Sequence, residues 1–283
     1  MGDISSTPFL WPASFNGPIE FPGINLLVNP SKTFFGTNIH WYGIIIALGL
    51  VLAIVVCMRL AEKAGITQDT ILDVVIFGVP SAIVCARLYY VVFKWEDYRN
   101  NFLDVFKIWE GGIAIYGAII GAIISTLVYC KVKKIKFLSV ADVCTPGLLI
   151  GQAVGRWGNF VNREAFGAPA SESILWRMRL YADNTLKTFV EVHPTFLYES
   201  FWNAGVLIFV LKVLKNKKFE GQVFWLYVLM YGIGRFCIEA LRTDSLYLGG
   251  IKISQAVALL SAVVGVIMLF VGIKNTKHAQ KSL

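Results

Sequence analysis

Charge is scarce in this chain. Only 16% of its 283 residues are Asp, Glu, Lys or Arg, against 56% hydrophobic, and the mean hydropathy is +0.63. That is too apolar for a soluble globule of this length, so composition points to the membrane class. The long apolar runs lack the alternating pattern of a membrane barrel, which excludes that architecture. Residues 1–40 have neither the basic start nor the apolar stretch of a cleaved signal peptide, so none is expected. Cys57, Cys85, Cys130, Cys144 and Cys237 are scattered through apolar runs without metal-ligand spacing or an obvious pairing, and they read as buried inert thiols. No metal site and no cofactor is expected. Internal repeats and low-complexity tracts are lacking, and no basic stretch with interleaved aromatics suggests nucleic acid despite the net charge of +8.

What remains is apolar sequence in long blocks. A helix crossing a bilayer core needs about 20 apolar residues. Seven runs qualify: roughly Trp41–Met58, Val74–Phe93, Gly112–Cys130, Leu138–Val154, Thr195–Leu214, Gln222–Ile238 and Ile253–Ile273. Backbone groups in lipid must be satisfied internally, so these runs are helices, and the fold class is all-α, polytopic, with about seven transmembrane helices. The second run contains Arg87 and the sixth runs into Arg235, which sets both apart.

The lysine-dense short connections (Lys131 to Lys136, Lys212 to Lys218, Lys274 to Lys281) all fall on one side if the amino terminus lies outside. The rule that basic loops stay in the cytoplasm then gives amino terminus out and carboxyl terminus in. The positive charge serves as anchoring against anionic lipid. The expected organisation is an outer arm over residues 1–40, rich in Pro, Gly and Asn, and a seven-helix catalytic domain over 41–275. An outer insertion at about 160–194 completes an extracytoplasmic cap, and a cytoplasmic tail covers 276–283.

Three polar groups map to the outer side. The first is Gly155-Arg156-Trp157-Gly158-Asn159-Phe160-Val161-Asn162-Arg163-Glu164-Ala165-Phe166-Gly167, directly after the fourth apolar run. Gln152, Arg156 and Asn159 share one face if that helix continues, and Asn162 and Glu164 follow where glycines let the chain turn. A fixed guanidinium here suits an anionic headgroup such as a phospholipid phosphate. The bland alternative is a solvated helix end whose arginine reaches back to the interface. The second group closes the sixth helix. Arg235, Glu239 and Arg242 fall at i, i+4, i+7, which sets a carboxylate between two guanidiniums on one face, either as an anion clamp or as an ion-paired helix end. The third is His193-Pro194-Thr195-Phe196-Leu197-Tyr198-Glu199. Pro194 fits the first turn of the fifth helix, and Glu199 then needs a partner inside apolar sequence. Tyr42 opens the first helix beside Trp41, an interfacial anchor, and Tyr116 lies among glycines where its hydroxyl can point into a cavity.

Taken together and in order, these blocks resemble the bacterial phosphatidylglycerol–prolipoprotein diacylglyceryl transferases over about residues 36–270. The likeness rests on Gly155-Arg156-x-Gly158-Asn159-Phe160-x-Asn162-x-Glu164-x-x-Gly167, His193-Pro194-Thr195-x-x-Tyr198-Glu199 and Arg235-Phe236-x-x-Glu239-x-x-Arg242-x-Asp244. The Trp41-Tyr42-Gly43 start and the Gly111-Gly112…Tyr116-Gly117 block also match. The resemblance implies an enzyme of the bacterial cell membrane. It moves a diacylglyceryl group from phosphatidylglycerol to the lipobox cysteine of a prolipoprotein, making a thioether and releasing glycerol-1-phosphate. It implies Arg235, Glu239, Arg242 and Tyr116 as catalytic residues. Arg156, Asn159, Asn162, Glu164, Gly167, Tyr42, His193 and Glu199 are implied to bind phosphatidylglycerol. The chain departs from some members in having Tyr116 where they carry a histidine proposed as catalytic. A phenol with an unperturbed pKa of about 10 is a poor base near neutral pH. A lipid transporter or flippase is the alternative reading. A metal-dependent phosphatidyltransferase lacks its aspartate cluster, since Asp69 and Asp73 are too sparse.

Overall fold

The computed structural model describes residues 14–37, 39–243 and 247–281; Asp244 of the third block and the start of the arm lie outside them. Among the described residues, seven helices are long and apolar enough to cross a membrane: α1 (Trp41–Lys63), α2 (Gln68–Phe93), α4 (Ile115–Lys133), α5 (Phe137–Asn162), α6 (Thr195–Lys215), α7 (Gln222–Leu241) and α8 (Ile253–Lys281). Each matches one expected run. Most extend past its apolar limit, because charged residues at a helix end keep their backbone bonds while their side chains reach water. Thus α1 carries on to Lys63, and α8 carries on to Lys281.

Helix α5 is the axis of the bundle. Of its apolar window 44% is buried, against 11–22% for the other six, and it packs on α1, α6 and α7. Two further pairs, α2 with α4 and α7 with α8, flank it. At the lysine-rich end, the fully buried Asp142 of α5 accepts from Gly221 N (2.8 Å) and Phe224 N (2.9 Å), with Lys217 Nζ at 3.0 Å. A carboxylate on the first N–H groups of α7 satisfies donors that no intrahelical carbonyl can reach. At the other end Lys252, in the hairpin of β5 (Tyr247–Leu248) and β6 (Ile251–Lys252), donates to Glu239 O (2.8 Å) and Arg242 O (2.7 Å). Both ends of α7 are therefore fixed by other elements.

Arg87, buried in α2, is explained by structure. Its guanidinium donates to Val105 O, Gly111 O, Gly112 O and Asp104 O at 2.6–2.8 Å and lies over the Tyr98 ring of the short helix α3 (Trp95–Tyr98). It fastens the connection that leads into α4, and so the position of Tyr116.

A small sheet accompanies the helices. β1 (Ile19–Phe21), β2 (Leu26–Val28), β3 (Met178–Tyr181) and β4 (Phe189–Val192) form an antiparallel sheet in the order β2-β1-β3-β4. Ile19 pairs with Val28 on one side and Leu180 on the other. The arm and the α5–α6 connection are therefore one layer, at the end of the bundle where α5 finishes and α6 begins. Ile19, Leu180 and Val192 are fully buried under it against Phe196, while Arg177, Arg179, Glu20 and Glu191 pair at 2.6–2.9 Å. Burial works against ionising Glu191, but the bonds and charges of Arg179 and Arg177 hold it below the ordinary carboxylate value. Of the five thiols, Cys57 and Cys130 are buried as expected; Cys237 is exposed instead, because it sits on the outward face of α7.

Candidate active site at the end of the bundle

The fourth helix does continue into the first polar block: residues 155–162 are the last two turns of α5, which runs to Asn162. This sets Gln152, Arg156 and Asn159 on one face, as the spacing required. Glycine does not make the turn that follows. Arg163 (φ 58°) and Ala165 (φ 55°) are the residues in the left-handed region. Such a backbone costs an ordinary residue roughly 1–2 kcal/mol, and at Arg163 the side chain offsets it. Buried at 4% exposure, it donates to Gly17 O (2.7 Å), Val161 O (2.9 Å), Asn29 Oδ1 (3.2 Å) and Pro30 O (3.0 Å), tying the arm to the turn. Burial pulls the Arg163 guanidinium below its ordinary value.

The centre of the site is Glu199. Arg156 Nη2 lies 2.6 Å from its Oε2, while Arg235 Nη1 at 3.1 Å and Arg242 Nη1 at 3.6 Å approach its Oε1. Arg235 also reaches Glu239 Oε2 at 2.6 Å. The Glu199 side chain is 6% exposed and that of Glu239 1%. Both carboxylates thus have the partners that burial demands. Counting along the helices at 1.5 Å per residue, Arg156 and Arg235 both sit ~9 Å inside the end of the bundle.

Arg242 corrects the sequence reading. Helix α7 stops at Leu241, and Arg242 is extended (φ −80°, ψ 143°), so it does not share a helical face with Arg235 and Glu239. Pairing with the turn draws it away: Gly167 bridges Arg242, and Ala168 N donates to Leu241 O at 2.6 Å. The carboxylate held among guanidiniums is therefore Glu199, from another helix. Gly167 itself is packed tight. A Cβ there would fall 2.8 Å from His193 Cβ, so this position joins three blocks by close approach and presents no side chain.

The remaining residues form a rim. Asn159 Nδ2 (2.9 Å) and Asn162 Nδ2 (3.4 Å) donate to Glu164 Oε1, which is exposed, and Arg156 Nη1 donates to Asn159 Oδ1 at 3.4 Å. The Tyr42 ring packs close against α5, where a Cβ on Gly158 would come within 2.6 Å of it. His193 Nδ1 pairs with Tyr198 Oη at 3.1 Å, and Trp176 Nε1 donates to the same hydroxyl at 2.9 Å. Burial holds the imidazole below its ordinary value.

Tyr116 is half-buried and within Coulombic range of Tyr231 on α7, as are Arg156, Arg235 and Glu199. Tyr231 and Tyr227 were missed in the sequence. Their spacing of four from one another and from Arg235 is the signal that places all three on one face of α7.

The site is thus a set of guanidiniums converging on a buried carboxylate inside one end of a bundle of membrane-spanning helices, and the sequence that builds it has relatives. A family model described as prolipoprotein diacylglyceryl transferase matches residues 32–271. Relatives named phosphatidylglycerol–prolipoprotein diacylglyceryl transferase include one from Finegoldia magna, 45% identical over 251 residues (88% of this chain, 96% of the relative). Others come from Clostridioides difficile, 43% identical over 235 residues (83% and 91%), and Lysinibacillus sphaericus, 42% over 265 residues (91% and 97%). The chain belongs to the prolipoprotein diacylglyceryl transferase family.

Proposed function

We propose that this protein transfers the sn-1,2-diacylglyceryl group of phosphatidylglycerol to the lipobox cysteine thiol of a prolipoprotein, leaving a thioether and glycerol-1-phosphate. The observation that carries the reading is the convergence of Arg156, Arg235 and Arg242 on Glu199 inside an apolar bundle. A carboxylate there occupies the place an incoming phosphate can take. Guanidinium forks match phosphate oxygens in pairs, and a site shielded from water strengthens each bond.

The sulfur attacks the glycerol carbon that carries the phosphate, the carbon–oxygen bond breaks, and the electron pair passes to the phosphate oxygen. Charge grows on that oxygen in the transition state, where Arg235 and Arg156 stabilise it without reorganising. The same guanidiniums favour the thiolate of the incoming cysteine, whose unperturbed pKa is about 8.5. Glu199, the carboxylate that the incoming phosphate displaces from the guanidiniums, receives the thiol proton. Glu239 orients Arg235, and Asn159, Asn162 and Glu164 form the polar rim. Gly167 holds the turn against α6, Tyr42 and Tyr116 line the approach, and His193 supports Tyr198 from the outer layer. The sheet, with residues 163–194, faces the outside of the bacterial cell membrane, the amino terminus lies outside and the carboxyl terminus in the cytoplasm.

The test is incubation of the purified protein with phosphatidylglycerol and a lipobox peptide in the presence of chelator. Thioether-linked diacylglyceryl peptide and free glycerol-1-phosphate are the expected products. Lipid movement in vesicles without product would place the protein among transporters instead.

A further inference from the structure

One polar atom inside the bundle is left over by this account. Gln152 lies one turn below Arg156 on the same face of α5, and its Nε2 donates to Tyr227 Oη at 2.8 Å. Its Oε1 is buried and has no hydrogen-bond partner among the described residues. A buried acceptor without a donor costs free energy, and a site keeps one where something else supplies the donor. The surroundings point to the substrate. Tyr227 stacks on Tyr231 with centroids 5.7 Å apart, and Tyr231 in turn lies within range of Arg156, Arg235 and Glu199. Gln152, Tyr227 and Tyr231 thus prolong the arginine cluster by one helical turn, ~5.4 Å, which is about the reach of a glycerol headgroup beyond its phosphate.

We infer that Gln152 binds a hydroxyl of the lipid headgroup and so selects a glycerol headgroup over one without hydroxyls. The inference rests on the transferase reading above. Within the lipid only headgroup hydroxyls can donate, because ester and phosphate oxygens accept. A hydroxyl also suits the amide turned the other way, with Oε1 on Tyr227 and the NH2 group left over, since it accepts as well as donates. A site built to bond a hydroxyl discriminates strongly against an analogue that lacks it, because its own polar group is then stranded.

The experiment compares phosphatidylglycerol with phosphatidylpropanol, which has the same headgroup length and no hydroxyl, as donors to the lipobox peptide. The native protein should favour phosphatidylglycerol in kcat/KM by about tenfold or more. Gln152→Met, unbranched and close in volume, should bring that ratio near one by slowing phosphatidylglycerol while leaving phosphatidylpropanol unchanged or faster. Gln152→Leu serves as a second apolar replacement, and the phosphatidylpropanol rate reports folding of both. A parallel loss on the two lipids in both variants would mean that Gln152 only packs the bundle, and unchanged rates on both lipids would mean that it bonds water; either overturns the inference. Absence of product from both lipids with the native protein is a different failure, that of the transferase reading itself.

Discussion

Glu199 meets Arg156 at 2.6 Å, Arg235 at 3.1 Å and Arg242 at 3.6 Å, and the proposed transfer rests on this crossing of three elements. Lysine in place of arginine keeps the charge and removes the planar fork, which separates field from geometry. Alanine at Arg156 or Arg235 should leave almost no turnover, a loss of about 3 kcal/mol or more by comparison with removed oxyanion donors. Lysine should restore part of the rate at Arg156 and little at Arg235, which is held between Glu199 and Glu239. Single-turnover thioether formation at saturating lipid measures this, and full rescue at both positions would exclude the fork. Glu199→Gln makes a second case. It should retain lipid binding, since a competitor for the arginines is gone, yet lose transfer at neutral pH and regain part of it as the thiol ionises unaided above pH 8.5. Loss of lipid binding along with transfer would make Glu199 a structural counter-ion. Tyr116→Phe should keep substantial activity, because a neutral hydrogen bond contributes only about 1 kcal/mol. As candidates these residues were legible in spacing and motif. Their grouping was less so: that Arg242 leaves the helix follows from its bridge to Gly167, a contact between distant segments that no helical periodicity carries.

At the scale of elements, the turn after α5 depends on the arm. Arg163→Ala removes four hydrogen bonds from a buried guanidinium, and should cost roughly 1–3 kcal/mol and open the arm near Gly17 and Asn29 to proteolysis. Limited proteolysis of native and variant protein in detergent checks this; identical cleavage would show that the sheet alone holds the arm. His193 gives the same layer a pH dependence. Its folded value lies below the unfolded one, so its contribution is complete above the unfolded pKa of about 6.5 and is lost as pH falls through the folded value. Thermal stability should decline on acidification below about pH 6, and His193→Gln should lessen that decline. The sheet itself was foreshadowed. Ile19-Glu20-Phe21 and Val190-Glu191-Val192 alternate apolar and polar residues, the pattern of half-buried strands. Their pairing was not legible, because Glu20 and Arg179 meet across 159 residues of sequence.

Over the whole molecule the seven spans were the most legible feature, since each needs only its own composition to declare itself. Their ends were blurred where Arg156 and Asn159 remain helical with partners from other elements. The proposed sidedness, drawn from the lysine clusters, makes a prediction: reagents that do not cross membranes should reach a cysteine placed at Asp183 from outside and one at Lys217 only from the cytoplasm. The most direct measurement joins sidedness to chemistry. The protein is reconstituted in sealed phosphatidylglycerol vesicles, its orientation is fixed by labelling at those two positions, and the lipobox peptide is confined to one side at a time. Thioether should form when peptide is on the side of residue 183, where the arginine cluster opens. Product only with peptide on the lysine-rich side, or none on either, would contradict a transferase site at the sheet end of the bundle.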